Sequence, residues 1–197
     1  MALTPVSILW SLLSIFVAST CTVTFFYPAW VTHPDRLHSF GVFRYCVRNL
    51  EILIPTPRCI SYGGNPTLGR IPAGAWQASC ILYGGGCILM CVSALLTVFV
   101  LCVDKRKHRR LALINGYLQT VAVLIMAAGL LMYPLGFSTP FFQYYCGEGA
   151  GPYSTGHCQI GWSYMLAIMG VSLSIFCPIL SNFADVKYDE DDYLAFV

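Results

Sequence analysis

The sequence predicts an all-α membrane bundle: four transmembrane helices that carry a small sheet outside the bilayer. Composition is the first observation behind this. Hydrophobic residues make up 57% of the 197-residue chain and charged residues only 10%, where an average soluble domain carries about 25% charged. Mean hydropathy is +0.67. The second observation is four uncharged runs: Met1 up to Asp35, Ile71–Val103, Leu111–Gly147 and Gly149–Ala184. About 20 apolar residues cross a bilayer core as a helix, so each run holds one span. The third is that the remaining charge is sorted by segment. Residues 31–72 carry a balance of +3, residues 104–110 one of +4, and the tail from Asp185 one of −4.

The first helix is read over about 6–28. The segment before it lacks the basic start of a signal peptide, so the helix is expected to be retained. Ser7, Ser11, Ser14 and Ala18 place small side chains at helical spacing, which suits close packing. Tyr27 and Trp30 are read as interfacial anchors at its outer end. A polar loop over 29–72 follows. The second helix is expected over 73–103, opened by Pro72, where a missing N–H costs nothing. Gly84, Gly85 and Gly86 mark a close approach or a bend within it. Cys80, Cys87 and Cys91 lie in this helix with no His or acid beside them, so they read as small packing residues and not as a metal site.

Asp104–Arg110 is read as a short hairpin joining antiparallel neighbours. A basic cluster at two membrane ends stays cytoplasmic, and it can also meet anionic head groups. Cys102 beside it is a candidate for palmitoylation. The third helix is expected over 111–135, with Asn115 and Gln119 as cross-helix amides. A second outer loop covers 136–159, and the fourth helix about 160–183, kinked by Pro178. The acidic tail, 184–197, is expected to lack order. The spans form one tetraspan domain over 1–197.

A cytoplasmic basic hairpin puts both termini in the cytoplasm and both long loops outside, where disulfides persist. Each outer loop holds two cysteines. The simplest pairing is Cys46 with Cys59 and Cys146 with Cys158, although four cysteines allow three connectivities. Phe40–Val47 reads as one strand, and Cys59–Tyr62 as a returning strand. Asn65 is followed by Pro66, which rules out glycosylation there. No catalytic constellation appears, and the four histidines lie in three separate loops.

Trp30, then Gly41, Val42 and Phe43, then Cys46 and Cys59, resemble the first-loop pattern of the claudin superfamily, with Phe43 where claudins have a second Trp. The chain is more similar to the lipoma HMGIC fusion partner-like tetraspan family. The features that carry this are Phe40–Phe43 ahead of Cys46, Tyr133–Gly136, Cys146 with Gly147, and Gly156–Cys158 ahead of Trp162. The resemblance implies a claudin-like extracellular sheet shared by both loops. It also implies a plasma-membrane, non-catalytic auxiliary or scaffold subunit, with no cofactor, no metal and no nucleic-acid partner. Such a subunit assembles, traffics or anchors a channel, receptor or adhesion protein. The alternative is a claudin-like junction or paracellular-barrier protein. Trp30, Gly41, Phe43, Arg36, Arg44 and Arg48 are the expected extracellular recognition residues. At the end of the tail, Val197 suits a PDZ scaffold, and Tyr193 with Phe196 an endocytic adaptor.

Overall fold

The computed structural model describes residues 4–35, 38–48, 57–64, 67–102 and 105–183; for residue 57 and residues 105–109 only the backbone is described. Four helical spans are long and apolar enough to cross a membrane: Pro5–Phe26, Gly74–Cys102, Arg110–Ser138 and Trp162–Phe183. The shorter two have 22 residues, about 33 Å of helix against a hydrocarbon core of about 30 Å.

Helix α1 (Pro5–Phe26) starts where Thr4 Oγ1 accepts the Ser7 N–H at 3.3 Å, and Pro5 occupies the first turn. Its buried stripe is Ser7, Trp10, Ser11, Ser14, Val17, Ala18 and Cys21, the three-to-four spacing of one helix face. Leu9, Leu12 and Phe16 are exposed instead. Small and polar groups inside with large apolar groups outside suit a helix whose solvent is lipid. Helices α2 (Gly74–Cys102), α3 (Lys105–Met132) and α5 (Trp162–Ser174, resuming over 176–183) complete a ring in which α1 touches α2 and α5, and α3 touches the same two.

The α2–α3 contact is the tightest. A Cβ on Gly86 would collide with Met126, and one on Gly129 would lie 2.7 Å from the Tyr83 backbone nitrogen. Gly84 instead admits the Phe25 ring of α1, so the glycines serve two neighbours and α2 runs through them unbroken. Amides tie the bundle internally. Trp10 Nε1 donates to Gln119 Oε1 at 3.1 Å, Gln119 Nε2 donates to Ser14 Oγ at 3.0 Å, and Asn115 Nδ2 donates to Thr97 Oγ1 at 2.7 Å.

One local reading of the spans changes. Helix α3 starts at Lys105, so most of the expected 104–110 hairpin is helix. Lys and Arg are good helix formers, and their charge marks the bilayer edge without ending the helix. Val103 and Asp104 lie outside the described residues. The fourth span breaks at Ile175, because the Pro178 ring conflicts with the carbonyl of Ser174 and removes its hydrogen bond. Residues 184–197, the tail with Tyr193, Phe196 and Val197, lie outside the described residues.

At one end of the bundle sits a five-stranded antiparallel sheet in the order β4–β3–β2–β1–β7. Its strands are β1 (Val31–Thr32), β2 (His38–Phe40), β3 (Arg44–Arg48), β4 (Pro57–Ser61) and β7 (Gln159–Ile160). The expected single strand Phe40–Val47 is a hairpin, pairing Phe40 with Tyr45 across Gly41–Phe43. A Cβ on Gly41 would lie 2.8 Å from the Pro28 Cα, so the turn closes only over glycine. The second loop gives the sheet β7 alone. The rest of it forms a 3₁₀ turn (Tyr133–Ser138), helix α4 (Pro140–Cys146) and a separate ribbon of β5 (Ala150–Gly151) with β6 (Ser154–Thr155).

Candidate functional site

The sheet is held on the bundle by an aromatic cluster. Trp30 is fully enclosed. Its N–H donates to Phe40 O at 2.9 Å, and its carbonyl accepts the Gly161 N–H at 2.8 Å, so its backbone lies between β2 and the entry to α5. The indole Nε1 donates to Thr24 O at 2.7 Å. Around the ring stand Tyr83 at 5.2 Å, Tyr133 at 4.8 Å and Tyr164 at 5.3 Å between centroids. One side chain thus joins all four spans. Aromatic pairs at such distances add about 0.5–1.5 kcal/mol each beyond their burial.

A second set lies beneath β2 and β3. Tyr45 stacks on Tyr62 at 5.5 Å, Phe40 meets Phe142 at 5.6 Å, and Phe142 stacks on Phe137 at 4.7 Å. Trp76 stacks on Tyr133 and donates Nε1 to the Tyr133 carbonyl at 3.1 Å. The Tyr62 hydroxyl donates to Gly41 O at 3.0 Å; burial drives its pKa well up, so it stays a donor. Strand alternation sends Tyr45 toward this cluster and Cys46 toward the opposite face.

Disulfides brace both loops. Cys46 is bonded to Cys59, its direct partner across β3 and β4, and Cys146 is bonded to Cys158. The first locks β3 to β4, and the second ties α4 to the start of β7.

The expected recognition residues separate. Trp30 and Gly41 are buried; aromatic packing under the sheet encloses the Trp that reads as an interfacial anchor. Tyr27 keeps that position, exposed beside Trp162 at 4.6 Å. Phe43 is half-buried and turns toward Phe25 at 5.2 Å. Arg44 lies over the Phe43 ring at 4.7 Å, Arg48 is exposed on β3, and Arg36 lies outside the described residues. Cys102 is exposed at the far end of α2. Phe141, Phe142, Tyr45 and Tyr62 also seat the sheet; the density of aromatic residues in two separate loops is the sequence signal for them.

A second surface was also not visible in the sequence. Between α1 and α2 runs a groove of about 560 Å³, with Ala18, Ser19, Thr22, Cys91, Ala94 and Leu95 among its lining. The Thr22 hydroxyl lies 3.3 Å from Cys91 Sγ at its floor.

Four apolar spans, a sheet seated on one end and two disulfide-braced loops define a multi-pass tetraspan membrane protein. Residues 6–185 match the family model described as lipoma HMGIC fusion partner-like protein, and the chain belongs to that family. It is 30% identical to the LHFPL tetraspan subfamily member 2 protein of Homo sapiens, over 94% of this chain and 89% of the human one. It is 29% identical to the member 2a protein of Danio rerio over the same shares. To the member 7 protein of Xenopus tropicalis it is 30% identical, over 89% of this chain and 88% of that one.

Proposed function

We propose that the chain is a non-catalytic auxiliary or scaffold subunit that holds a partner membrane protein, a channel, receptor or adhesion molecule, through its spans and its sheet. The observation that carries this is the α1–α2 groove. Its floor is built from small side chains and it carries no charge, so the backbone of another helix can approach closely there. The exposed walls Ile15, Val23 and Leu95 add apolar contact.

In this reading the sheet faces outward from the plasma membrane, and both termini are cytoplasmic. Sorting of basic residues to the opposite end and disulfides on the sheet side support that orientation. Cys102 then lies on the cytoplasmic side, where acylation would add membrane anchoring, and Val197 would be open to a PDZ scaffold or Tyr193 and Phe196 to an adaptor. The test is co-purification from native membrane. Ala18→Leu with Ala94→Phe fills the groove and is expected to abolish partner recovery while leaving delivery to the surface intact. A wild-type protein that purifies alone in mild detergent contradicts the reading.

A second reading, a junction or paracellular barrier, draws on the exposed Arg48 at the end of β3. Expression in an epithelial layer would then change ion selectivity, and Arg48→Glu would reverse the change.

A further inference from the structure

Between the sheet and the sheet-side ends of α1 and α2 lies a separate apolar cleft of about 220 Å³, walled by Phe25, Phe26, Phe43, Leu68, Ile71 and Cys80. Its proportions limit what can enter. Thr67 and Leu68, at the start of the 3₁₀ turn Leu68–Arg70, contribute to its lining, and the volume is below the roughly 300–1,000 Å³ typical of sites for drug-sized ligands. A helix, about 10 Å across, does not fit in such a space. A single hydrocarbon chain does, and the exposed faces of Phe26 and Leu68 leave the cleft open to one.

The polar end of the occupant is indicated by Arg44. Its guanidinium carbon sits 4.7 Å from the centroid of Phe43, which lines the cleft. Arg44 Nε is buried and has no hydrogen-bond partner among the described residues, nor does any ion pair there involve Arg44. A buried donor on a permanent cation is costly to leave unmet, and a guanidinium fork matches phosphate oxygens. Nearby, Arg70 donates Nη1 to Gly63 O at 2.8 Å and is held to its own loop.

We propose that this cleft binds one phospholipid from the leaflet on the sheet side, with an acyl chain among Phe25, Phe26 and Phe43 and its phosphate on Arg44. The site is distinct from the α1–α2 groove and does not depend on the auxiliary role.

The test uses full-length protein in nanodiscs holding either a phosphatidylcholine or a phosphate-free glucosylceramide, each with a photoreactive diazirine in its tail, and maps adducts by mass spectrometry. Phosphatidylcholine is expected to label Phe25, Phe26, Phe43 and Leu68 above the rest of the lipid-facing surface. Arg44→Gln should lower that labelling by roughly tenfold, the usual scale for a lost charge-assisted bond, while Arg44→Lys keeps part of it. Equal elution profiles and thermal midpoints for the two variants separate lost binding from misfolding. Equal labelling by both lipids, labelling unchanged in Arg44→Gln, or label spread evenly over the helices overturns the proposal. So does a photoreactive residue in place of Leu68 that crosslinks, in cell membranes, to a polypeptide and not to lipid.

Discussion

Trp30 Nε1 donates to the carbonyl of Thr24 at 2.7 Å across the turn that carries the chain from α1 into the sheet. Thr24 Oγ1 in turn lies 2.8 Å from the Tyr83 hydroxyl, so the last turn of α1, the sheet and α2 are fastened at one point. Trp30→Phe is expected to lose about 1 kcal/mol with the indole bond, since the Thr24 carbonyl keeps the Ser163 hydroxyl as a donor at 3.2 Å, and Trp30→Ala about 3–5 kcal/mol through the cavity. Thermal unfolding in detergent measures both. Equal, small losses would mean that the ring does not seat the sheet.

Tyr133 and Tyr164 offer opposite outcomes from one chemical change. The Tyr164 hydroxyl donates to Leu130 O at 2.9 Å, whereas the fully enclosed Tyr133 hydroxyl has no partner among the described residues. Tyr164→Phe should therefore destabilise by about 1 kcal/mol, and Tyr133→Phe should be neutral or stabilising. The order of the two melting temperatures decides it.

The cysteine bridges close short loops, with sequence separations of 13 and 12. Each contributes up to ~3 kcal/mol in the chain-entropy model. Cys46→Ser also leaves Cys59 as a free thiol and should retain the protein inside the cell. Charge reversal at Arg48 should spare delivery and alter partner choice alone. Surface biotinylation compares them, and normal delivery of the Cys46→Ser protein would contradict the structural role.

His38 is expected to make the sheet sensitive to acid. Burial, and then His33, lower its pKa from the usual 6.5, with Asp35 opposing. A histidine whose folded pKa is depressed contributes stability that is present above 6.5 and lost as pH falls through the folded value. The sheet should therefore become more susceptible to proteolysis between pH 7 and 5. His38→Gln should flatten that dependence, and an unchanged slope would remove His38 as its source.

The four spans were legible because a bilayer dictates composition over 20 residues at a time, and the paired cysteines because each loop holds only two. Elements that rest on tertiary contact were not. Phe40–Val47 is apolar on both faces, so nothing in its pattern marks the turn at Gly41 that the close approach of Pro28 enforces. The start of α3 at Lys105 was hidden because charge signals the bilayer edge and not the helix end. An aromatic residue just past a span reads equally well as anchor or core; Tyr27 took the first role and Trp30 the second. The two apolar clefts arise from how α1 leans on α2, which no local pattern encodes.

The most direct test of partner holding starts at Leu95, which is 73% exposed and lines the α1–α2 groove. A photoreactive residue placed there in the full chain and activated in native membrane should give one discrete heavier band containing a second membrane protein, lost when Ala18→Leu and Ala94→Phe fill the groove. Only lipid adducts, or a band that survives filling, would contradict the account.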